Sequence, residues 1–137
     1  MGNSNQGKVI GKNYVGGVIG KNEVEISGKE TDGVGVTNSG TVIATAGGAG
    51  GIIGENDANI TYAVMKNEGE VQGNASDAST EEQENGTGGI IGVNKETIQN
   101  SSMMNTLKGK VTGISNVGGI IGINHGTVTG GRDKNDV

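Results

Sequence analysis

The chain has 137 residues, the length of one ordinary domain, but 29 of them are Gly, about three times the usual share. Aromatic residues make up 1%, Pro, Phe, Trp and Cys are absent, and the formal net charge is −5. These values exclude a core built on aromatics, disulfide or thiolate chemistry and, with no basic cluster present, a nucleic-acid surface.

The apolar residues are Val, Ile and Ala with a few Leu and Met, side chains that suit a pleated surface. No apolar run reaches the ~20 residues that a membrane helix needs. Residues 1–8 have no apolar h-region, so this stretch is not a signal peptide.

In chain order, the first predicted strand covers 5–11 and reads x-x-Gly7-x-Val9-x-Gly11. The segment Gly16-Gly17-Val18-Ile19-Gly20-Lys21-Asn22 follows, with Ile26 ten residues after its first Gly. The Gly-x-Val signature returns over 38–44, and Gly50-Gly51-Ile52-Ile53-Gly54-Glu55-Asn56 follows with Ile60 at the same offset. It returns again over 67–73, and after a polar, acidic stretch over 74–87 comes Gly88-Gly89-Ile90-Ile91-Gly92-Val93-Asn94, with Ile98. The last set is 107–113, then Gly118-Gly119-Ile120-Ile121-Gly122-Ile123-Asn124 with Val128. The Gly-Gly starts lie 34, 38 and 30 residues apart, so the length variation falls between the motifs, as in a stacked coil whose extra residues loop out.

Units of about 30 residues with two or three strands of roughly five residues cannot bury an apolar face alone, and stacking them builds a continuous core. The expected fold is therefore all-β: a parallel β-solenoid of the right-handed β-helix kind, made of about four stacked Gly-rich repeats. Ile19, Ile53, Ile91 and Ile121 should form one inward ladder, and Ile26, Ile60, Ile98 and Val128 another. Asn22, Asn56, Asn94 and Asn124 should form a corner column, their amides bonding from copy to copy and their backbones tolerating left-handed geometry. The Gly residues are expected where a corner needs positive φ or close backbone approach. A hairpin meander does not predict the constant offset of ten between Gly-Gly and the β-branched residue.

Residues 1–137 are read as one repeat domain, with 74–87 as an inserted acidic loop and 131–137 as a polar tail. The Gly-x-Val strand at the start and the absence of dissimilar capping units suggest a segment of a longer array.

The segments Gly17-Val18-Ile19-Gly20, Gly51-Ile52-Ile53-Gly54, Gly89-Ile90-Ile91-Gly92 and Gly119-Ile120-Ile121-Gly122 resemble the GLUG motif, which commonly continues as Gly-x-Asn-x-Gly-Thr-Ile. Gly122-Ile123-Asn124-His125-Gly126-Thr127-Val128 is the nearest copy. The chain departs from the motif in using Val or Ile at the Leu position and in lacking the later Gly in the first three copies. The resemblance implies a context: large secreted or cell-wall-attached bacterial proteins, including adhesin-like proteins and the non-catalytic part of some immunoglobulin A-cleaving metallopeptidases. The zinc motif of those peptidases needs two histidines, and this chain has only His125.

Candidate chemistry is sparse. His125 sits in a predicted turn and is read as solvated, because no Cys or second His completes a metal set. Asp32, Glu55 and Asp57 occupy variable positions of the repeat, and nothing joins them to a Ser or Thr as a triad. Glu25 stacks with Asn59, Thr97 and Thr127, which makes no acidic stripe for a polysaccharide. Ser27, Thr61, Gln99 and Thr129 are too mixed for an ice-binding array. Gly47-Gly48-Ala49-Gly50-Gly51 begins like a calcium nonapeptide, but Ile52 stands at its Asp position. The acidic stretch is left with weak calcium binding of no defined geometry.

No catalytic, cofactor-binding or metal residue is assigned, and no cofactor is expected. The expected function is a non-enzymatic repeat module of a bacterial extracellular or cell-surface protein, acting as a stalk or an adhesive surface. The alternative is a non-catalytic accessory region of a secreted peptidase or glycan-active enzyme. Expected partners are flanking repeats or domains of a parent chain and a host or cell-wall glycan or protein, with neither nucleic acid nor membrane insertion.

Overall fold

The computed structural model of the chain describes residues 2–29, 35–74 and 84–130. Among them are 20 short strands and no helix, arranged as five parallel sheets of four strands each. The chain passes through the sheets in the order A to E, and does so four times. Sheet A stacks Asn3–Asn5, Gly35–Asn38, Val64–Asn67 and Ser102–Asn105; sheet B stacks Lys8–Gly11, Thr41–Ala44, Glu70–Gly73 and Lys110–Thr112. Sheet C stacks Val15–Gly16, Ala49–Gly50, Thr87–Gly88 and Val117–Gly118; sheet D stacks Ile19–Asn22, Ile53–Asn56, Ile91–Asn94 and Ile121–Asn124. Sheet E stacks Ile26–Ser27, Ile60–Thr61, Ile98–Gln99 and Val128–Thr129. Four turns of one coil stacked in parallel make a β-solenoid, as the offsets require.

The register places Ile19, Ile53, Ile91 and Ile121 in one column and Ile26, Ile60, Ile98 and Val128 in another. Val9, Val42, Val71 and Val111 make a third. Two apolar clusters result. The larger gathers Ile52, Ile53, Ile60, Ala63, Met65, Ile90, Ile91 and Ile98; the smaller gathers Val15, Val42, Ala44, Ala49 and Val71.

The structure corrects two expectations and decides between the alternatives of a third. Each coil holds five strands of two to four residues, more and shorter than anticipated, because short bends divide the coil between successive sheets. The Asn22 column is not left-handed. Positive φ among non-Gly residues falls on Tyr14, Tyr62, Asn100 and Asn116, where the chain turns into sheet C and out of sheet E. The Gly-Gly pairs are required by close approach rather than by positive φ. A Cβ on Gly16, Gly50, Gly88 or Gly118 would strike the carbonyl of the residue three positions on, and one on Gly17, Gly51 or Gly89 would strike the matching Gly carbonyl of the next coil.

Length variation is absorbed at corners. Two residues join sheet E to sheet A after coils 2 and 3, against a longer link over 28–34 after coil 1. The B-to-C corner of coil 3 carries the insertion between Gly73 and Thr87. Of the acidic stretch, 75–83 lie outside the described residues, as do Asp32 and the tail 131–137.

Candidate functional site

Two asparagine columns run the length of the solenoid. Asn22 Nδ2 donates to Asn56 Oδ1 at 2.7 Å, Asn56 to Asn94 at 2.8 Å and Asn94 to Asn124 at 2.8 Å. The expected ladder at the end of sheet D is therefore present. A second one, which sequence reasoning missed, closes sheet A: Asn5 donates to Asn38 at 2.9 Å, Asn38 to Asn67 at 2.8 Å and Asn67 to Asn105 at 2.9 Å.

The direction of these amides is fixed by the backbone. Asn56 Nδ2 also donates to Ala58 O at 2.7 Å, Asn94 Nδ2 to Glu96 O at 2.8 Å and Asn67 Nδ2 to Gly69 O at 3.2 Å. On the other side, the N–H of Gly7 and that of Gly69 donate to Asn5 Oδ1 and Asn67 Oδ1. A carbonyl can only accept and an N–H can only donate, so each side chain has one permitted orientation. Asn38, Asn56, Asn67 and Asn94 are fully buried, and their satisfied amides avoid the desolvation penalty of ~1–3 kcal/mol for an unpaired polar group.

Charge is concentrated along one flank of sheet D. Glu55 is 1% exposed and lies between Lys21 of coil 1, whose Nζ is 3.5 Å from Oε1, and Lys95 of coil 3, whose Nζ is 3.2 Å from Oε2. Both lysines also meet Asp57, at 3.1 and 3.7 Å, and Lys21 meets Glu23 at 3.1 Å. The hydrogen bond to Asp57, and after it the one to Glu23, hold the Lys21 pKa well above the ordinary lysine value. At Lys95 burial is the largest influence and acts downward, but the hydrogen bond to Glu55 and the charges of Glu55, Asp57 and Glu84 outweigh it, leaving a raised pKa. The arrangement ties three successive coils together by charge.

His125 was expected in a solvated turn. It is half-exposed, yet its Nε2 lies 2.7 Å from Glu84 Oε1, a residue 41 positions away at the return of the insertion. Nothing in the spacing of the repeat points to that pair. Glu55 and Asp57 do come together, but with lysines and not with a Ser or Thr nucleophile. Among the described residues no group of three His, Cys, Asp or Glu has a geometry that would hold a metal ion.

An apolar cavity of about 120 Å³ lies beside coil 1, lined by Ile19, Ile26, Ser27, Gly28, Val36, Ile52, Ile53, Ala63 and Met65. It has a packing cause: Val36 occupies the register position that Met65 and Met103 fill with longer side chains in coils 3 and 4. Ser27, Thr61, Gln99 and Thr129 stack as expected, a mixed column with one Thr61-to-Ser27 hydroxyl bond at 3.3 Å. Compared with protein-family models, curated proteins and solved structures, the chain matches none.

Proposed function

We propose that the chain is a non-enzymatic structural module, a stalk segment of a bacterial extracellular or cell-surface protein. The observation that carries this reading is the unbroken coil-to-coil continuity: five sheets and two buried amide ladders repeat through all four turns. Each added turn lengthens such a body by the ~4.8 Å strand spacing without changing its cross-section. The lysine–carboxylate flank serves the same end, because its partners lie on successive coils. The bacterial surface context rests on the resemblance of the four Gly-Gly-x-Ile-Gly segments to the GLUG motif.

Single-molecule stretching of the chain between two handle domains tests the role. A force-transmitting stalk should unfold in one cooperative event. Peeling of single coils at low force would sink the reading. Saturable binding of the isolated chain to one ligand on a glycan array would move it to an adhesive surface.

A further inference from the structure

Glu55 is a buried charge at a position where the repeat does not need one. The residue before the sheet D ladder Asn is Lys21 in coil 1, Glu55 in coil 2, Val93 in coil 3 and Ile123 in coil 4, all in one column. Val93 fills that position wholly buried and without a charge. Replacing a buried ion pair with apolar residues of similar volume is often neutral or stabilising, so stability alone does not account for Glu55. Its two oxygens are divided between the neighbouring coils: Oε1 faces Lys21 of coil 1 at 3.5 Å, and Oε2 faces Lys95 of coil 3 at 3.2 Å. Each side supplies one cation.

The rest of the motif does not tell one coil from another. Gly-Gly-x-Ile-Gly, the ladder Asn and the later Ile or Val are shared by all four copies. A stack with coil 2 on the wrong copy would keep the glycine contacts, the amide bonds and the apolar columns of sheets D and E. Repeat proteins misassemble in this way. Glu55 changes that balance. Against coil 4 it would meet Ile123, beside His125, which Glu84 already holds at 2.7 Å. Against coil 2 of another chain it would meet a second Glu55 and a second Asp57. Both stacks leave a buried carboxylate without a cation, which is the strongly destabilising case.

We infer that Glu55 fixes the order of the coils, admitting only neighbours that bring Lys21 to one side and Lys95 to the other. Asp57, 26% exposed, supports it from the rim by reaching the same two lysines at 3.1 and 3.7 Å. The inference concerns the assembly of the fold and is independent of the stalk role.

Glu55→Val is the test, because it gives coil 2 the residue that Ile123 of coil 4 meets in coil 3. The reporter is a cysteine pair, Thr61→Cys with Thr129→Cys, in the sheet E column of coils 2 and 4. In the native stack coil 3 lies between them, so they are two strand spacings of ~4.8 Å apart, beyond the ~7 Å Cα reach of a disulfide. Chains with and without Glu55→Val are refolded under reducing conditions, then oxidised, and the cross-link is read from the mass of non-reduced digests. Chance collisions are the same in both backgrounds. With Glu55 kept, the cross-link should stay at background; with Glu55→Val it should rise several-fold, while the denaturation midpoint stays equal or increases. Glu55→Met, closer in volume, should behave alike and guards against a packing fault. Unchanged cross-linking in both variants overturns the inference, and so does a rise that comes with a lowered midpoint in both. Loss of folding in both overturns it too, since the charge would then serve stability rather than order.

Discussion

Coils 2 and 3 and coils 1 and 4 are built from the same motif, yet they are physically different places. Ile53 and Ile91 are wholly buried in the middle, whereas Ile19 and Ile121, the same residue of the same motif at the ends, are only partly covered. Ile60 and Ile98 are sealed, and Val128 in their column is 48% exposed. Asn56 and Asn94 are enclosed by two neighbours, and Asn124 has one. In these Ile columns burial is conferred by the adjacent coil rather than by the residue, as expected where each repeat contacts only its neighbours.

The sharpest way to break the comparison is Ile53→Pro. The Ile53 N–H donates to Ile90 O at 3.0 Å, so the substitution removes an inter-coil bond and a wholly buried side chain together. A loss of more than about 5 kcal/mol is expected, seen as the disappearance of cooperative melting in circular dichroism. Next in size is a matched pair. Ile91→Ala should lower the denaturant-derived stability by about 3–5 kcal/mol, and Ile121→Ala by less than half of that. Equal losses would show that the end coils are packed as tightly as the middle.

The glycine and asparagine positions sharpen the same contrast. Gly51→Ala drives a Cβ into the Gly89 carbonyl and the Asn67 amide, and should cost about 2–4 kcal/mol. Gly119→Ala should fall within about 0.5 kcal/mol of the parent chain. Asn56→Ala strands the amide of Asn22 and an oxygen of Asn94, which predicts a loss of about 2–3 kcal/mol. Asn124→Ala leaves Asn94 with its bond to Glu96 O and should cost about 1 kcal/mol. Chemical denaturation of the four variants in parallel tests the ordering.

The smallest effect is that of pH. Raised lysine pKa values mean that the folded state holds those protons more tightly than the unfolded chain. The stability from Lys21 and Lys95 is then fully present below the ordinary lysine value of 10.5 and is lost as pH rises through the raised values. Glu68 is depressed below 4.5, chiefly by its hydrogen bond to Lys66, so its contribution is present above that value and is lost as pH falls through the depressed one. Melting temperature should be flat between these limits and fall at both ends. A fall confined to acid would remove the lysines from the account.

Much of the fold was legible because the repeat carries its own register. The constant offsets from Gly-Gly to Asn and on to Ile or Val correctly aligned the Ile and Asn columns of sheets D and E. The sheet A ladder was hidden by one local event. The turn from sheet A to sheet B takes four residues in coil 4, 106–109, and two in each other coil, so Asn105 is displaced by two from the Gly-x-Val signature. In that signature Leu107 stands where the other coils have Asn5, Asn38 and Asn67. The charged flank was half legible: Lys21 and Glu55 share a register position, but the Glu84–His125 contact depends on where a long insertion returns.

The sequence by itself determined the periodicity, and with it the parallel stacking and which residues stand above which, because a side chain repeated at a fixed offset can be buried only by its own copies. Tertiary structure alone decided how many corners each coil has, which residues take left-handed backbone and which copies of a motif are buried. Those properties depend on contacts between coils, and a motif read one copy at a time contains no neighbour.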